Sequence, residues 1–274
     1  MGESQAEQIL HGGNTSVVVR VGDTVRRTTG HWTPAVHALL AHLGSVGFTD
    51  APTVLGIDDQ GREILSFVIG EVGTYDPGLP DWFLTAEASM AIGGWLRRFH
   101  DAQQRFTPDP SLPWRMYAGR ALRHGEVVVH HDAAPYNTIR RLHGGLTVID
   151  WDFCAPGDPV EDLACTAWRW VPLRADKAAM EDGHGGATTL LPEAATRLAA
   201  LADGYAASPD QRSRLLDACI QQMTKHADDL EAMAVNDPAF ARLVDLGHAD
   251  NARLDAAWVS DNEVELSSAV RGGT

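Results

Sequence analysis

The sequence predicts an α+β fold, with a small antiparallel sheet and one helix first and a larger, mainly helical part after it. Short strand-like runs broken by tight turns fill the first seventy residues, whereas helical periodicity dominates beyond residue 158. Between these regions, Gly144-Gly145 separates two strand-like runs and marks a hairpin inside the second part.

Residues 17–27 (VVVRVGDTVRR) read as two strands around a Gly22-Asp23 turn. Trp32 to Leu43 carries helix signals: Thr33 as N-cap, Pro34 in the first turn, and Val36, Leu39, Leu40 and Leu43 on one face. Residues 53–57 and 63–69 bracket Asp58-Asp59-Gln60-Gly61 as a second hairpin-like unit, which Gly70 ends. Gly73 to Pro80, with two prolines, reads as a linker. Ala86 to Ala102 reads as a core helix through Met90, Ile92, Leu96 and Phe99. Helices are expected at 160–170, 193–207, 210–234 and 238–258, with loops near Gly183–Gly186 and Ser208-Pro209, and a frayed tail after Ser267.

At 44% hydrophobic and 22% charged residues, the chain of 274 can bury a core. Cys154, Cys165 and Cys219 lack C-x-x-C spacing, which fits a reducing compartment. The polar, acidic start MGESQAEQIL is no signal peptide, and no apolar run reaches the roughly 20 residues of a membrane span, so a cytoplasmic protein is expected. A net charge of −15 opposes nucleic-acid binding and mildly favours a cationic partner. A monomer or homodimer is expected.

The chemistry concentrates in residues 127–152, VVVHHDAAPYNTIRRLHGGLTVIDWD. A turn centred between His143 and Gly144 places Asn137 opposite Asp150 at the open end of the hairpin, with Asp132 on the loop entering it. Two carboxylates and an amide oxygen suit Mg²⁺, and phosphoryl transfer needs such a metal beside a carboxylate that orients the acceptor hydroxyl. Asp132 is assigned to the acceptor, Asn137 and Asp150 to the metal, and His130 to bracing the loop. An Asx-rich turn with solvated acids explains any one of these residues, but not their spacing. His130-His131-Asp132 also reads as a zinc cluster, although no second His pair has ligand spacing; His184 is a lone His.

H-x-D-x-x-x-x-N, followed by a strand ending in Asp, is filled by His130, Asp132, Asn137 and Asp150. With Pro135, Ile149-Asp150-Trp151-Asp152 and Gly157-Asp158-Pro159, the stretch resembles the aminoglycoside phosphotransferase and choline kinase family. The likeness covers roughly residues 10–170; Leu96–His100 resembles the helix end before the family's catalytic loop, and Asp162 falls in the first turns of a helix. It implies a bilobal protein-kinase-like fold, ATP or GTP as donor, and Mg²⁺. The implied division is a nucleotide-binding lobe at 1–70, a hinge at about 66–71, and a catalytic, substrate-binding lobe at 71–274. The sequence departs from the family at Ala134, where His or Asn is usual, and at His131 and Tyr136, where Gly is usual.

By the same resemblance, Gly13, Asn14 and Thr15 fall where a phosphate-covering loop lies, although an ordinary turn explains them equally. No Lys precedes Lys177, so Arg26 or Arg27 must supply the phosphate-binding cation; alignment favours Arg26. Val36 and His37 occupy the positions of the expected acidic partner. Ser66, Phe67 and Val68 fall at the hinge that reads the base, or are plain strand core. Asp228, Asp229, Glu231, Asp245, Asp250 and Asp255 make the helical part acid-rich, either as a solvated face or as a field steering a cationic, hydroxylated acceptor. Trp168, Trp170 and Trp258 read as core or as a cation-binding pocket. An aminoglycoside or other antibiotic comes first as acceptor, and a choline-like or amino-sugar metabolite second. The alternative is a catalytically weak immunity or nucleotide-binding protein, because GGNTSVVVRVGDTVRR and HWTPAVHALLAHL also look like kinase-fold bacteriocin immunity proteins.

Overall fold

The computed structural model describes residues 6–10, 18–74, 79–174 and 190–272. A five-stranded antiparallel sheet comes first, in the order β1-β2-β3-β5-β4: β1 (Gln8–Leu10), β2 (Val18–Val21), β3 (Thr24–Thr28), β4 (Val54–Ile57) and β5 (Arg62–Ser66). Gly22, at φ 60°, makes the β2–β3 turn that its sequence predicts. Strand β1 has no counterpart in the sequence reading, since three residues carry too little alternation to stand out.

Helix α1 (Thr33–Ser45) buries Val36, Leu39, Leu40 and Leu43, the expected face. Trp32, not Thr33, is its N-cap; Thr33 is already helical, and its hydroxyl accepts the Gly30 amide at 2.9 Å. After Ser66 the chain leaves the first sheet. Gly70 opens β6 (Gly70–Val72), which pairs with β8 (Thr138–Arg141), and β8 pairs with β9 (Leu146–Val148). Here glycine is required, because a Cβ on Gly70 would lie 2.3 Å from the Arg140 carbonyl oxygen.

Helix α2 (Ala86–Ala102), capped by Thr85, buries Ile92, Trp95, Leu96 and Phe99. Met90, expected in the core, is half exposed, and Trp95 fills that role instead. Strand β7 (Val127–Val129) pairs with β10 (Ala155–Gly157). The helices α3 (Pro159–Trp170), α4 (Leu191–Gly204) and α5 (Pro209–Ala234) follow, the first and third closed by capping boxes. The single helix expected at 238–258 is instead two, α6 (Pro238–Asp245) and α7 (His248–Asp261), broken at Gly247 in the left-handed region, and α8 (Glu263–Arg271) follows. The tail expected to fray after Ser267 is helical as far as Arg271, with Val270 fully buried, and residues 273–274 lie outside the described residues. Trp168 and Trp170 are buried and Trp258 packs against the core. The loop expected near Gly183–Gly186 lies outside the described residues.

Candidate active site

Strand β7 delivers His130, His131 and Asp132 to the end of the small second sheet. Backbone groups hold them there. The amides of His130 and His131 donate to the two carboxylate oxygens of Asp162 at 2.8 and 2.9 Å, and His100 Nε2 lies 3.1 Å from the same carboxylate. Asp162 is fully buried, which works to raise its pKa, yet the His100 contact and the His130 amide hold it below the usual carboxylate range. Trp170 Nε1 donates to the Ala133 carbonyl at 2.7 Å and pins the next residue. His131 takes φ 64°, a left-handed conformation that explains why the resembled family carries Gly there.

His130 lies inside this loop, its ring 4.7 Å from that of Trp151 and its Nδ1 accepting the Asp132 amide at 3.3 Å. Complete burial pulls its pKa down to about 4, so the ring is neutral. It lies beneath the loop as a brace. Asp132 Oδ1 accepts the Tyr136 hydroxyl at 2.6 Å, and Oδ2 accepts Asn137 Nδ2 at 2.8 Å. Burial pushes the Asp132 carboxyl up to about 6, against the pull of these two donors. A carboxylate poised there suits a general base working near neutrality.

The hairpin register differs from expectation by one residue. Thr138 pairs with Val148 and Ile139 with Thr147, and the Ile149 amide donates to the Asn137 carbonyl at 2.8 Å, so Asn137 faces Ile149. The cause is an odd-length turn: Arg141 bonds Gly145, leaving residues 142–144 in the loop, with Gly144 and Gly145 both at positive φ. Asp150, at φ 60°, then bends out of the strand line beside Asp132, close enough to act on its ionisation.

Of the two arginines, Arg27 rather than Arg26 reaches the carboxylates of this site. Successive residues of a strand point to opposite faces. Arg26 turns away, 3.7 Å from Asp58. Arg27, with a buried side chain, places Nε 2.7 Å from Glu63 and Nη1 3.1 Å from Asp150, and Nη2 pairs with Asp152. Burial disfavours its charge, but these three acids together raise its pKa above the usual value. The acidic partner missing from α1 is Glu63 on β5, which His37 of α1 holds at 2.8 Å. Sequence reasoning missed it, although Arg27 and Glu63 are register partners on adjacent strands. Asp152, whose pKa burial raises, also lies 3.5 Å from Arg115, and Arg115 rests on the rings of Trp32 and Phe153.

Ser66 and Phe67 spend their amides on the carbonyls of Thr53 and Asp23, and Val68 follows outside any strand. Gly13, Asn14, Thr15 and His184 lie outside the described residues. Among the described residues no three His, Cys, Asp or Glu side chains gather as a metal cluster, so the zinc reading lacks a ligand set there. Asn137 and Asp150 fit Mg²⁺ better: the Asn137 amide nitrogen is committed to Asp132 and Arg27 takes only Oδ1 of Asp150, which leaves one hard oxygen on each for a cation shared with phosphates. The acid-rich helices pair some of their acids and stay net negative. Asp228, Glu231 and Asp250 surround Arg253, Asp229 pairs with Lys225, and buried Asp255 accepts from Trp168. Among the described residues, no helix is long and apolar enough to cross a membrane.

Residues 112–201 match the family model of the phosphotransferase enzyme family. The chain is 37% identical over 217 residues, 78% of its length and 79% of the relative's, to a trifolitoxin immunity protein from Rhizobium leguminosarum bv. trifolii. Its fold matches a choline/ethanolamine kinase family protein from Mesorhizobium loti with a TM-score of 0.62 at 17% identity, covering 99% of this chain and 94% of the other. It also matches an amicoumacin kinase solved with AMP-PNP and Ca²⁺, with a TM-score of 0.60 at 13% identity over 89% and 88% of the two chains.

Proposed function

This chain belongs to the phosphotransferase enzyme family, and from that premise we propose that it moves the γ-phosphoryl of ATP or GTP to a hydroxyl of a small molecule. The observation that carries the proposal is the paired environment of Asp132 and Arg27. A carboxylate raised to about 6 stands beside Asp150, and Asp150 is reached from β3 by a buried guanidinium.

In this reading the nucleotide lies between the five-stranded sheet and the catalytic loop, with residues 1–70 covering it and 71–274 carrying the chemistry. Arg27, held by Glu63, supplies the cation for the phosphates in place of the usual Lys. Asn137 and Asp150 hold Mg²⁺, which when bound neutralises phosphate charge. Asp132 orients the acceptor hydroxyl and takes its proton. Asp162 and Trp170 keep the loop in place, and His130 remains neutral beneath it. Gly13, Asn14 and Thr15 cover the phosphates through their amides. Val68 or the carbonyls of Ser66 and Phe67 read the base, because the amides of those two residues are spent.

The acceptor is a hydroxylated, cationic molecule of the antibiotic or amino-alcohol kind, and the protein works in the cytoplasm. The second reading, a kinase-fold immunity protein with weak turnover or none, is favoured by the name of the relative at 37% identity. Nucleotide consumption against a panel of aminoglycosides, macrolides and amino alcohols separates the two. Asp132→Asn is expected to abolish turnover and leave Mg-nucleotide binding nearly intact. Equal turnover by that variant removes Asp132 from the chemistry, and binding without turnover on any acceptor selects the immunity reading.

A further inference from the structure

Tyr136 stands at a position where the resembled family carries Gly, and its side chain reaches back to the centre of the site. Its hydroxyl donates to Asp132 Oδ1 at 2.6 Å, while Oδ2 takes the Asn137 amide at 2.8 Å. Asn137 marks the metal side of the carboxylate, so Oδ1 is the oxygen that an acceptor hydroxyl must use. That place is already taken by a hydroxyl of the protein itself.

We propose that Tyr136 is a specificity-determining residue: its phenol oxygen occupies the acceptor's place on Asp132, and only an acceptor that displaces it gains the base. The inference rests on the phosphotransferase reading above. Its consequence is clearest for water, the smallest competing acceptor. In the wasteful reaction, water oxygen forms a bond to the γ-phosphorus and the bond to the β,γ-bridging oxygen breaks. The nucleoside diphosphate leaves with that electron pair, and the proton of the water passes to Asp132. A phenol seated on Oδ1 denies water this proton acceptor, whereas a bound acceptor offers further contacts that offset the lost tyrosine hydrogen bond.

The test uses Mg-ATP alone, with no acceptor, on the full chain and on Tyr136→Phe, which keeps the ring. Hydrolysis is expected to rise about tenfold in the variant, the factor one hydrogen bond to a charged group is worth. A merely structural ring contact would leave the rate unchanged, because Phe keeps the ring. Equal hydrolysis rates overturn the inference. So does a phosphoryl group found on Tyr136 of the unaltered protein by mass spectrometry, since the phenol is then an acceptor rather than a stand-in. Calorimetry with Mg-ATP distinguishes the two levels. If both proteins bind it and hydrolyse alike, only this inference fails; if neither binds it, the phosphotransferase reading fails first and takes the inference with it.

Discussion

Two neighbouring arginines separate what sequence reasoning can reach from what it cannot. With no Lys before Lys177, the sequence expectation for a phosphate-binding cation falls on an arginine of the second hairpin strand. Choosing between Arg26 and Arg27 needed the facing of β3, and a five-residue strand with threonine at both ends offers no apolar alternation to set it. Glu63 escaped notice because the partner was sought on α1, whereas it lies on β5 opposite Arg27. Arg27→Ala leaves Glu63, Asp150 and Asp152 without their shared cation, so about 3–5 kcal/mol of stability is expected to be lost. Arg26→Ala removes a contact at 3.7 Å to Asp58 and local hydrogen bonds to Thr24 and Val25, and is expected to cost about 1 kcal/mol. Urea unfolding of both variants checks the pair, and similar losses would mean that Arg27 is not the buried hub.

Elements with many residues of one period were legible, and elements defined by distant partners were not. Helices α2, α3, α4 and α5 fall where their apolar spacing puts them, to within a few residues. Strands β1 and β6 have three residues each and exist through pairing with β2 and β8, which no local window contains. The continuous helix expected at 238–258 failed at Gly247, where φ 82° ends one helix and starts the next. The hairpin around Gly144 was located correctly, but its odd loop shifted the register, and a left-handed Asp150 was needed to return the carboxylate to the site. Helix contacts hide a similar constraint. A Cβ on Gly93 of α2 would lie 2.3 Å from the Leu201 carbonyl oxygen of α4, so these helices meet backbone to backbone. Gly93→Ala must push them apart and is expected to cost about 1–3 kcal/mol, despite the better helix propensity of Ala. Thermal and denaturant unfolding measure it; an unchanged or raised midpoint would deny the close approach.

Across the whole molecule, buried titratable groups couple the active site to stability. His130 and His226 are buried, with pKa values pulled down to about 4 and about 3, whereas Asp132 is pushed up to about 6. The signs oppose each other. The histidines gain protons on unfolding, so between roughly pH 6.5 and 4 they make the fold lose stability as pH falls. Asp132 binds its proton more tightly when folded, so it adds stability as pH falls from about 6 towards its unfolded value near 3.9. Near pH 5 the two histidines each take up about one proton on unfolding and Asp132 releases about one. These three groups together give a net uptake of about one proton and a slope of about 1.4 kcal/mol per pH unit, to which Asp152 adds in the sense of Asp132. Asp162 enters only lower: its depressed pKa gives stability that is full above the ordinary carboxyl value and fades below it. Replacing His226, which packs against Trp168 at 5.2 Å, with Phe is expected to cancel most of the slope near pH 5. Asp132→Asn is expected to steepen it to about two protons, because the opposing carboxyl is gone. Urea titrations of the three proteins from pH 4.5 to 7 read these slopes directly. Parallel curves would mean that His226 and Asp132 titrate alike in the folded and unfolded chains, and the poised base at the centre of the phosphotransfer mechanism would go with them.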